Sequence, residues 1–242
     1  MSKRADIFLV EHGYARSRAE AQAAIEAGAV KADGRALAKP SQTLTADMRI
    51  DYTPAHPYVS RGALKLIAAL DRFALSPKDR ICLDIGASTG GFTEVLLARG
   101  AKSVFAIDVG HGQMNPKIAS DPRVVSLEGV NARDLSLVVL GEQPQAIVVD
   151  VSFISLTLAL PKALAMGARG AWLAALVKPQ FEVGPENVGK GGIVRDEAAR
   201  QGALDAIVTF VTSKNWTVLG TMDSPIAGGD GNREFLLAAR KP

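Results

Sequence analysis

A chain of 242 residues, 48% apolar and 22% charged, has the composition of a folded protein and the length for one large or two unequal domains; intrinsic disorder is excluded. Its net charge of +3 permits a polyanionic partner without demanding one. A single cysteine, Cys82, excludes an intrachain disulfide, and with three separated histidines it makes no metal cluster. No stretch has the apolar length of a membrane span, and the charged N-terminus lacks a signal-peptide core, so a cytoplasmic protein is expected.

Residues 4 to about 52 read as a small α+β unit. Ala5-Asp6-Ile7-Phe8-Leu9-Val10 begins a helix that Gly13 ends. Ser17 caps a second helix, Arg18 to Ala27, with Glu20 three positions on as capping-box partner and Gly28 closing it. Val30 to Ala32, the turn Asp33-Gly34 and Arg35 to Leu37 form a hairpin, and Met48-Arg49-Ile50-Asp51 a last strand.

Three runs in this unit resemble the small RNA-binding domain named after the fourth small-subunit ribosomal protein. They are Arg4-x-Asp6-x-x-Leu9, Ala15-Arg16-Ser17-Arg18-x-x-Ala21 and Ile25-x-x-Gly28-x-Val30 followed by Asp33-Gly34. Lys31-Ala32-Asp33 departs from that family's alternating strand and weakens the hairpin reading alone. The resemblance implies Arg4, Arg16, Arg18 and Lys39 as phosphate contacts, which position RNA and give salt-dependent affinity. The bland alternative is a solvated charged surface.

Residues 53 to 59 carry two prolines and little periodicity, and read as a linker between a domain of residues 1–52 and one of residues 60–242. Ser60 then caps a helix running to about Phe73, with Leu64, Ile67, Ala68 and Leu70 apolar and Lys65 among them; the simplest expectation is that Lys65 snorkels to water.

Arg80-Ile81-Cys82-Leu83 is an apolar strand, and Phe92 to Arg99 has helical spacing. Between them lies Asp84-Ile85-Gly86-Ala87-Ser88-Thr89-Gly90-Gly91-Phe92, a glycine-rich turn entering a helix N-terminus. It matches neither Gly-x-Gly-x-x-Gly nor a P-loop. The next strand, Ser103 to Asp108, ends in an acid that could accept hydrogen bonds from a ribose diol. A glycine turn with an acid ending the second strand is the arrangement of an S-adenosylmethionine (SAM) pocket; a plain structural turn is the alternative. The cofactor residues read this way are Asp84, Gly86, Ala87, Ser88, Thr89, Gly90, Gly91, Phe92, Asp108 and its neighbour Val109, Asn131 toward the adenine edge, and Asp150.

From Ile81 onward strands and helices alternate, which predicts an α/β fold with a seven-stranded, mostly parallel, Rossmann-like sheet. The strands are 81–84, 104–108, 124–127, 146–150, 172–177, 218–222 and 235–239, with helices over 156–166 and 196–212. Ligands in such sheets bind beyond the carboxyl ends of the strands. Asp150 ends strand four, Lys178 follows strand five, Glu234 precedes the last strand, and Lys65 lies on the preceding helix.

Nearly the whole chain resembles the TlyA family of ribosomal RNA 2′-O-methyltransferases, also called hemolysin-like. The motifs are Ser60-Arg61-Gly62-Ala63-x-Lys65-Leu66, the glycine turn, Asp150-Val151-Ser152-Phe153-Ile154-Ser155-Leu156, Val177-Lys178-Pro179-Gln180-Phe181-Glu182 and Gly231-Asn232-x-Glu234. In the wider FtsJ-type relatives a Lys-Asp-Lys-Glu tetrad matches Lys65, Asp150, Lys178 and Glu234. The resemblance implies methyl transfer from SAM to a ribose 2′-hydroxyl, with neutral Lys178 as candidate base. It also implies a cytidine of 23S rRNA as target, and for longer members one of 16S rRNA too; because this chain stops at Pro242, 23S rRNA alone is expected.

Three competing readings make different demands. An amino-group methyltransferase would carry Asp/Asn-Pro-Pro-Tyr where Asp150-Val151-Ser152-Phe153 stands. A membrane-active hemolysin would need an apolar or amphipathic membrane element. A non-catalytic RNA-binding protein would lack part of the tetrad or of the glycine turn.

Overall fold

The computed structural model describes residues 2–15, 17–53 and 56–242. The chain divides into two compact units, Met1–Arg61 and Gly62–Pro242.

In the first unit β1 (Lys3–Arg4) leads into α1 (Ala5–Glu11), and α2 (Arg18–Glu26) follows. Ser17 Oγ accepts the Glu20 N–H at 3.2 Å, the cap expected from the sequence. At the other end Gly28 takes φ +69°, donates to Ile25 O, and lets Ala29 donate to Ala24 O; this Schellman closure needs a left-handed residue there. A three-stranded sheet has the order β3 (Arg35–Ala36), β2 (Val30–Ala32), β5 (Ile50–Tyr52), and β4 (Thr43–Leu44) pairs with β1. Asp33 and Gly34 both have positive φ, +49° and +76°, which suits a two-residue hairpin between Lys31–Ala36 and Ala32–Arg35 pairs. The hairpin therefore forms despite the departure at Lys31-Ala32-Asp33, because the turn residues decide it. Phe8, Leu9, Ala21, Ile25, Val30, Leu37 and Leu44 make the core.

The second unit opens with α3 (Gly62–Arg72). Its buried face is Ala63, Leu66, Ala69 and Leu70 together with Lys65, while Leu64, Ile67 and Ala68 lie half-buried to one side. There follow β6 (Ile81–Ile85), α4 (Gly91–Ala98), β7 (Ser103–Asp108), α5 (Pro116–Ala119), β8 (Val124–Glu128), α6 (Leu137–Leu140) and β9 (Ala146–Val149). The chain ends with α7 (Leu156–Ala159), α8 (Pro161–Met166), β10 (Trp172–Val177), α9 (Glu197–Ser213), β11 (Thr217–Asp223) and β12 (Phe235–Arg240). The single helix expected over 156–166 is two, since Pro161 has no N–H to continue the ladder.

The seven strands form one sheet in the order β11-β12-β10-β9-β6-β7-β8. β12 runs antiparallel to both its neighbours, β10 and β11, and the remaining pairs of the sheet are parallel. The central strands β9 and β10 are buried along their whole length, which is why they read as unbroken apolar runs. The strand order reverses between β6 and β9, and the carboxyl ends of these two strands border the crevice where such sheets take ligands. Among the described residues no helix is long and apolar enough to cross a membrane.

Candidate active site

The turn after β6 is built on Gly86. Its φ is +82°, and a Cβ placed there would stand 2.4 Å from the backbone oxygen of Asp150. Glycine is thus required twice, for the left-handed backbone and for the close approach of β6 to the end of β9. Gly90 is also left-handed, at φ +92°, but a Cβ there would meet Ile118 and Met114 side chains, so its task is packing at the start of α4.

Asp84 is wholly buried, and its Oδ2 accepts the Thr93 hydroxyl at 2.6 Å. Its Oδ1 has no hydrogen-bond partner. Burial pushes this carboxyl up to about 7; the Thr93 hydrogen bond opposes that and the nearby Asp150 charge adds to it. Asp108 ends β7 and accepts the N–H groups of Ser88 and Gly110, both at 2.8 Å. It therefore ties the glycine turn to the loop after β7. Ser88 sits at φ +46°, and its hydroxyl donates to Gln113 Oε1 at 3.1 Å.

Beside these groups lies a cavity of about 870 Å³, a size suited to a nucleoside-like ligand. Of the residues expected at a cofactor, Gly86, Ser88, Asp108, Val109, Asn131 and Asp150 line it. Asp84, Ala87, Thr89, Gly90, Gly91 and Phe92 are not among its lining residues; Asp84, Ala87, Gly91 and Phe92 are buried and support the turn from behind. Asn131 Oδ1 accepts the Arg133 N–H at 3.0 Å, which leaves its amide N–H₂ for a ligand.

The four tetrad residues form two ion pairs. Lys178 Nζ stands 2.6 Å from Asp150 Oδ1, off the direction of a hydrogen bond, and donates to Ser152 Oγ at 2.9 Å. Lys65 Nζ donates to Glu234 Oε2 at 2.5 Å, with both side chains buried. Lys65 therefore does not snorkel to water; it turns inward because a buried carboxylate awaits it. The pairs occupy neighbouring strand ends. Val177 is registered with Phe235, so Lys178 and Glu234 are the next residues on β10 and β12, and Asp150 directly follows β9 on the other side of β10. Gly228 leaves room for the carboxylate: a Cβ there would stand 2.6 Å from Glu234 Oε1.

Several residues that the sequence reading quoted only inside motifs, or did not single out, take specific places around the site. Phe153, 91% exposed on the cavity wall, has φ +64°, a conformation a bulky side chain rarely holds. Its ring lies 5.1 Å from that of Phe181. Glu182 accepts the Ser155 hydroxyl at 2.6 Å and the Leu156 N–H at 2.9 Å, and burial raises its carboxyl above the usual range. Glu128, ending β8, accepts N–H groups from Gly112, Gln113 and Met114, which hold its carboxyl below the usual range. Asn232 is buried and links Val194 N–H to Gly192 O. The visible signal was an acid at the end of a third consecutive strand and an aspartate-rich edge; the partners are mostly backbone groups, which no spacing reveals.

In the first unit Arg4 and Arg18 both donate to Asp6, and Lys39 is exposed. Arg16 lies outside the described residues. Among the described residues no group of three or more His, Cys, Asp or Glu side chains could hold a metal ion.

Residues 58–241 match the FtsJ-like methyltransferase family, and residues 3–50 match the S4 domain. The chain belongs to the TlyA family of FtsJ-like methyltransferases. The 16S/23S rRNA (cytidine-2′-O)-methyltransferase TlyA of Mycobacterium tuberculosis is 44% identical over 98% of this chain and 89% of its own length. Hemolysin A of Brachyspira hyodysenteriae is 39% identical over 96% of this chain and 98% of its own. A solved structure of a hemolysin-named protein from Streptococcus thermophilus is 40% identical, with a TM-score of 0.80 over 99% of this chain and 88% of that one. The TlyA-family assignment thus spans both units, and its FtsJ-like part contains the cavity and both ion pairs.

Proposed function

We propose that this TlyA-family chain transfers the methyl group of SAM to the ribose 2′-hydroxyl of a cytidine in ribosomal RNA, acting in the cytoplasm. The observation that carries this reading is the pair of ion contacts, Lys178–Asp150 and Lys65–Glu234, gathered at one edge of β9, β10 and β12, with Asp150 on the cavity wall. The cavity walls suit SAM. Asp108 and Asp150 offer carboxylates to a cationic ligand with a ribose diol, Asn131 offers an amide, and Ile85, Ile107 and Leu158 supply apolar surface. Gly86, on the cavity wall, lets the end of β6 lie against the backbone of Asp150. When bound, SAM supplies an electrophilic methyl group.

The chain's own residues position and deprotonate the nucleophile. Lys178, once neutral, takes the proton of the 2′-hydroxyl as general base. Asp150 and Ser152 fix where its nitrogen points, since each holds one side of it. Lys65 and Glu234 are not exposed enough to meet solvent, and they support Lys178 from the adjacent strand end. The S4-domain unit supplies phosphate contacts through Arg4, Arg16, Arg18 and Lys39. A 2′-hydroxyl target explains why an RNA-binding unit accompanies the catalytic one.

We take 23S rRNA as the preferred substrate and 16S rRNA as the second to be tried, because the M. tuberculosis relative is named for both. The test is methyl transfer from labelled SAM to purified 50S and 30S subunits, followed by mapping of 2′-O-methylation on both RNAs. Label on a cytidine ribose is the expected result; label on a base, or none on either subunit, would overturn the reading.

A further inference from the structure

Asp6 stands in the first turn of α1 with its side chain wholly buried. Its carboxylate accepts Arg4 Nε at 3.0 Å and Arg4 Nη2 at 3.1 Å, a two-pronged fork. It also accepts Arg18 Nη2 at 2.9 Å and Gln22 Nε2 at 2.8 Å. Arg4 and Arg18 are far apart as an element pair, one before α1 and one opening α2, yet a single carboxylate holds both guanidinium groups. Each arginine side chain remains about half exposed, 47% and 57%, so N–H groups not turned toward Asp6 are open to a ligand.

We propose that Asp6 is a positioning residue for RNA binding, holding Arg4 and Arg18 side by side as a preformed clamp for the phosphate backbone. The inference rests on the reading of this unit as RNA-binding and says how it binds. An unfixed arginine loses rotamer freedom when it grips a phosphate; one already tied to Asp6 has lost it on folding. The fork also fixes the guanidinium plane, which a phosphate contact needs.

The sign of one substitution separates this from simple electrostatics. Asp6→Asn deletes a negative charge from a face that meets a polyanion, so charge alone predicts tighter binding. Positioning predicts the opposite: binding of transcribed 23S rRNA weaker by about tenfold, the loss expected when two long side chains must be ordered at binding. In a chain that already carries Arg4→Ala and Arg18→Ala, adding Asp6→Asn should cause no further loss. RNA binding by Asp6→Asn equal to or tighter than that of the natural chain, with the fold intact by thermal melting, would overturn the proposal. If Arg4→Ala with Arg18→Ala leaves affinity and salt dependence unchanged, the RNA-binding reading of this face fails and the proposal with it. A second measurement needs no variant at Asp6. Nitrogen relaxation of the Arg4 and Arg18 Nε groups in the free natural chain should give order parameters near those of rigid backbone, about 0.85; values below about 0.6 would show that no clamp is preformed.

Discussion

Lys65 Nζ meets Glu234 Oε2 at 2.5 Å although they lie 169 positions apart in the chain, and both side chains are buried. Two charges removed from water stabilise little on balance, but removing one partner strands the other. Lys65→Met or Glu234→Leu alone should each destabilise the second unit by roughly 3–5 kcal/mol in chemical denaturation. Combined, they should recover most of that loss while methyl transfer stays low. A double variant as unstable as the sum of the singles would show that the site needs these charges for more than each other.

Lys178 separates base from scaffold. Lys178→Ala should keep cofactor and RNA binding but lose about two to four orders of magnitude in single-turnover rate. Lys178→Arg should fail as well, since a guanidinium stays protonated and cannot accept the proton. A near-natural rate for the arginine variant would leave positioning of the 2′-hydroxyl as the source of catalysis.

Gly86 and Asp108 test the cofactor wall. In Gly86→Ala a Cβ would fall 2.4 Å from the Asp150 oxygen at a left-handed φ, so the ends of β6 and β9 must part. Calorimetry on the folded variant should show SAM affinity lowered by at least tenfold. Asp108→Ala should weaken SAM binding by about 1–3 kcal/mol, because it leaves the Ser88 and Gly110 N–H groups unpaired as well as removing the ribose acceptor. Unchanged affinity in both would move the pocket elsewhere.

Asp84 makes stability fall with rising pH. Its carboxyl ordinarily titrates at 3.8 and is pushed up to about 7 in the fold, so between these values the native state binds a proton that the unfolded chain has released. That difference favours folding below pH 4 and is lost as pH rises toward 7. Asp84→Asn should flatten the denaturation midpoint over this window. Asp6 has the reverse sign. The Arg4 fork holds its carboxyl well below the usual range, so its contribution is full above pH 4 and lost in acid. Midpoints that vary alike in Asp84→Asn, Asp6→Asn and the natural chain would refute the assignments.

Removing residues 1–57 should leave SAM binding within a few fold and abolish methylation of ribosomal RNA, because the cavity residues all belong to the second unit. Full turnover by the shortened chain would show that the S4-domain unit is dispensable.

Much of this was legible from local pattern. The buried runs at Ile147–Val149 and Leu173–Val177 identify central parallel strands, and Gly86 marks the left-handed turn from strand to helix. What was not legible is pairing over long separations. Four charged residues could be placed at strand ends, but their partition into Lys178–Asp150 and Lys65–Glu234 depends on the register of β10 with β12. Lys65 stood out beside an apolar stripe, but helix periodicity says which face is buried, not what polar partner that face will meet. Asp6 and Glu128 were missed for a related reason, since their roles lie in what they accept, and those donors come from other elements or from the backbone. Pro161 was a plain signal of a helix break within 156–166.

The reversed direction of β12 has a consequence for synthesis. Because this strand runs antiparallel to β10, Glu234 reaches the ligand edge only as the chain starts its last strand, whereas Lys65 and the glycine turn leave the ribosome long before. Until then a nascent chain holds a lysine facing an interior with no counter-charge, and the second unit cannot close around it without cost. Closure of the sheet at β12 and the pairing of Lys65 with Glu234 are therefore coupled, because the same strand brings both.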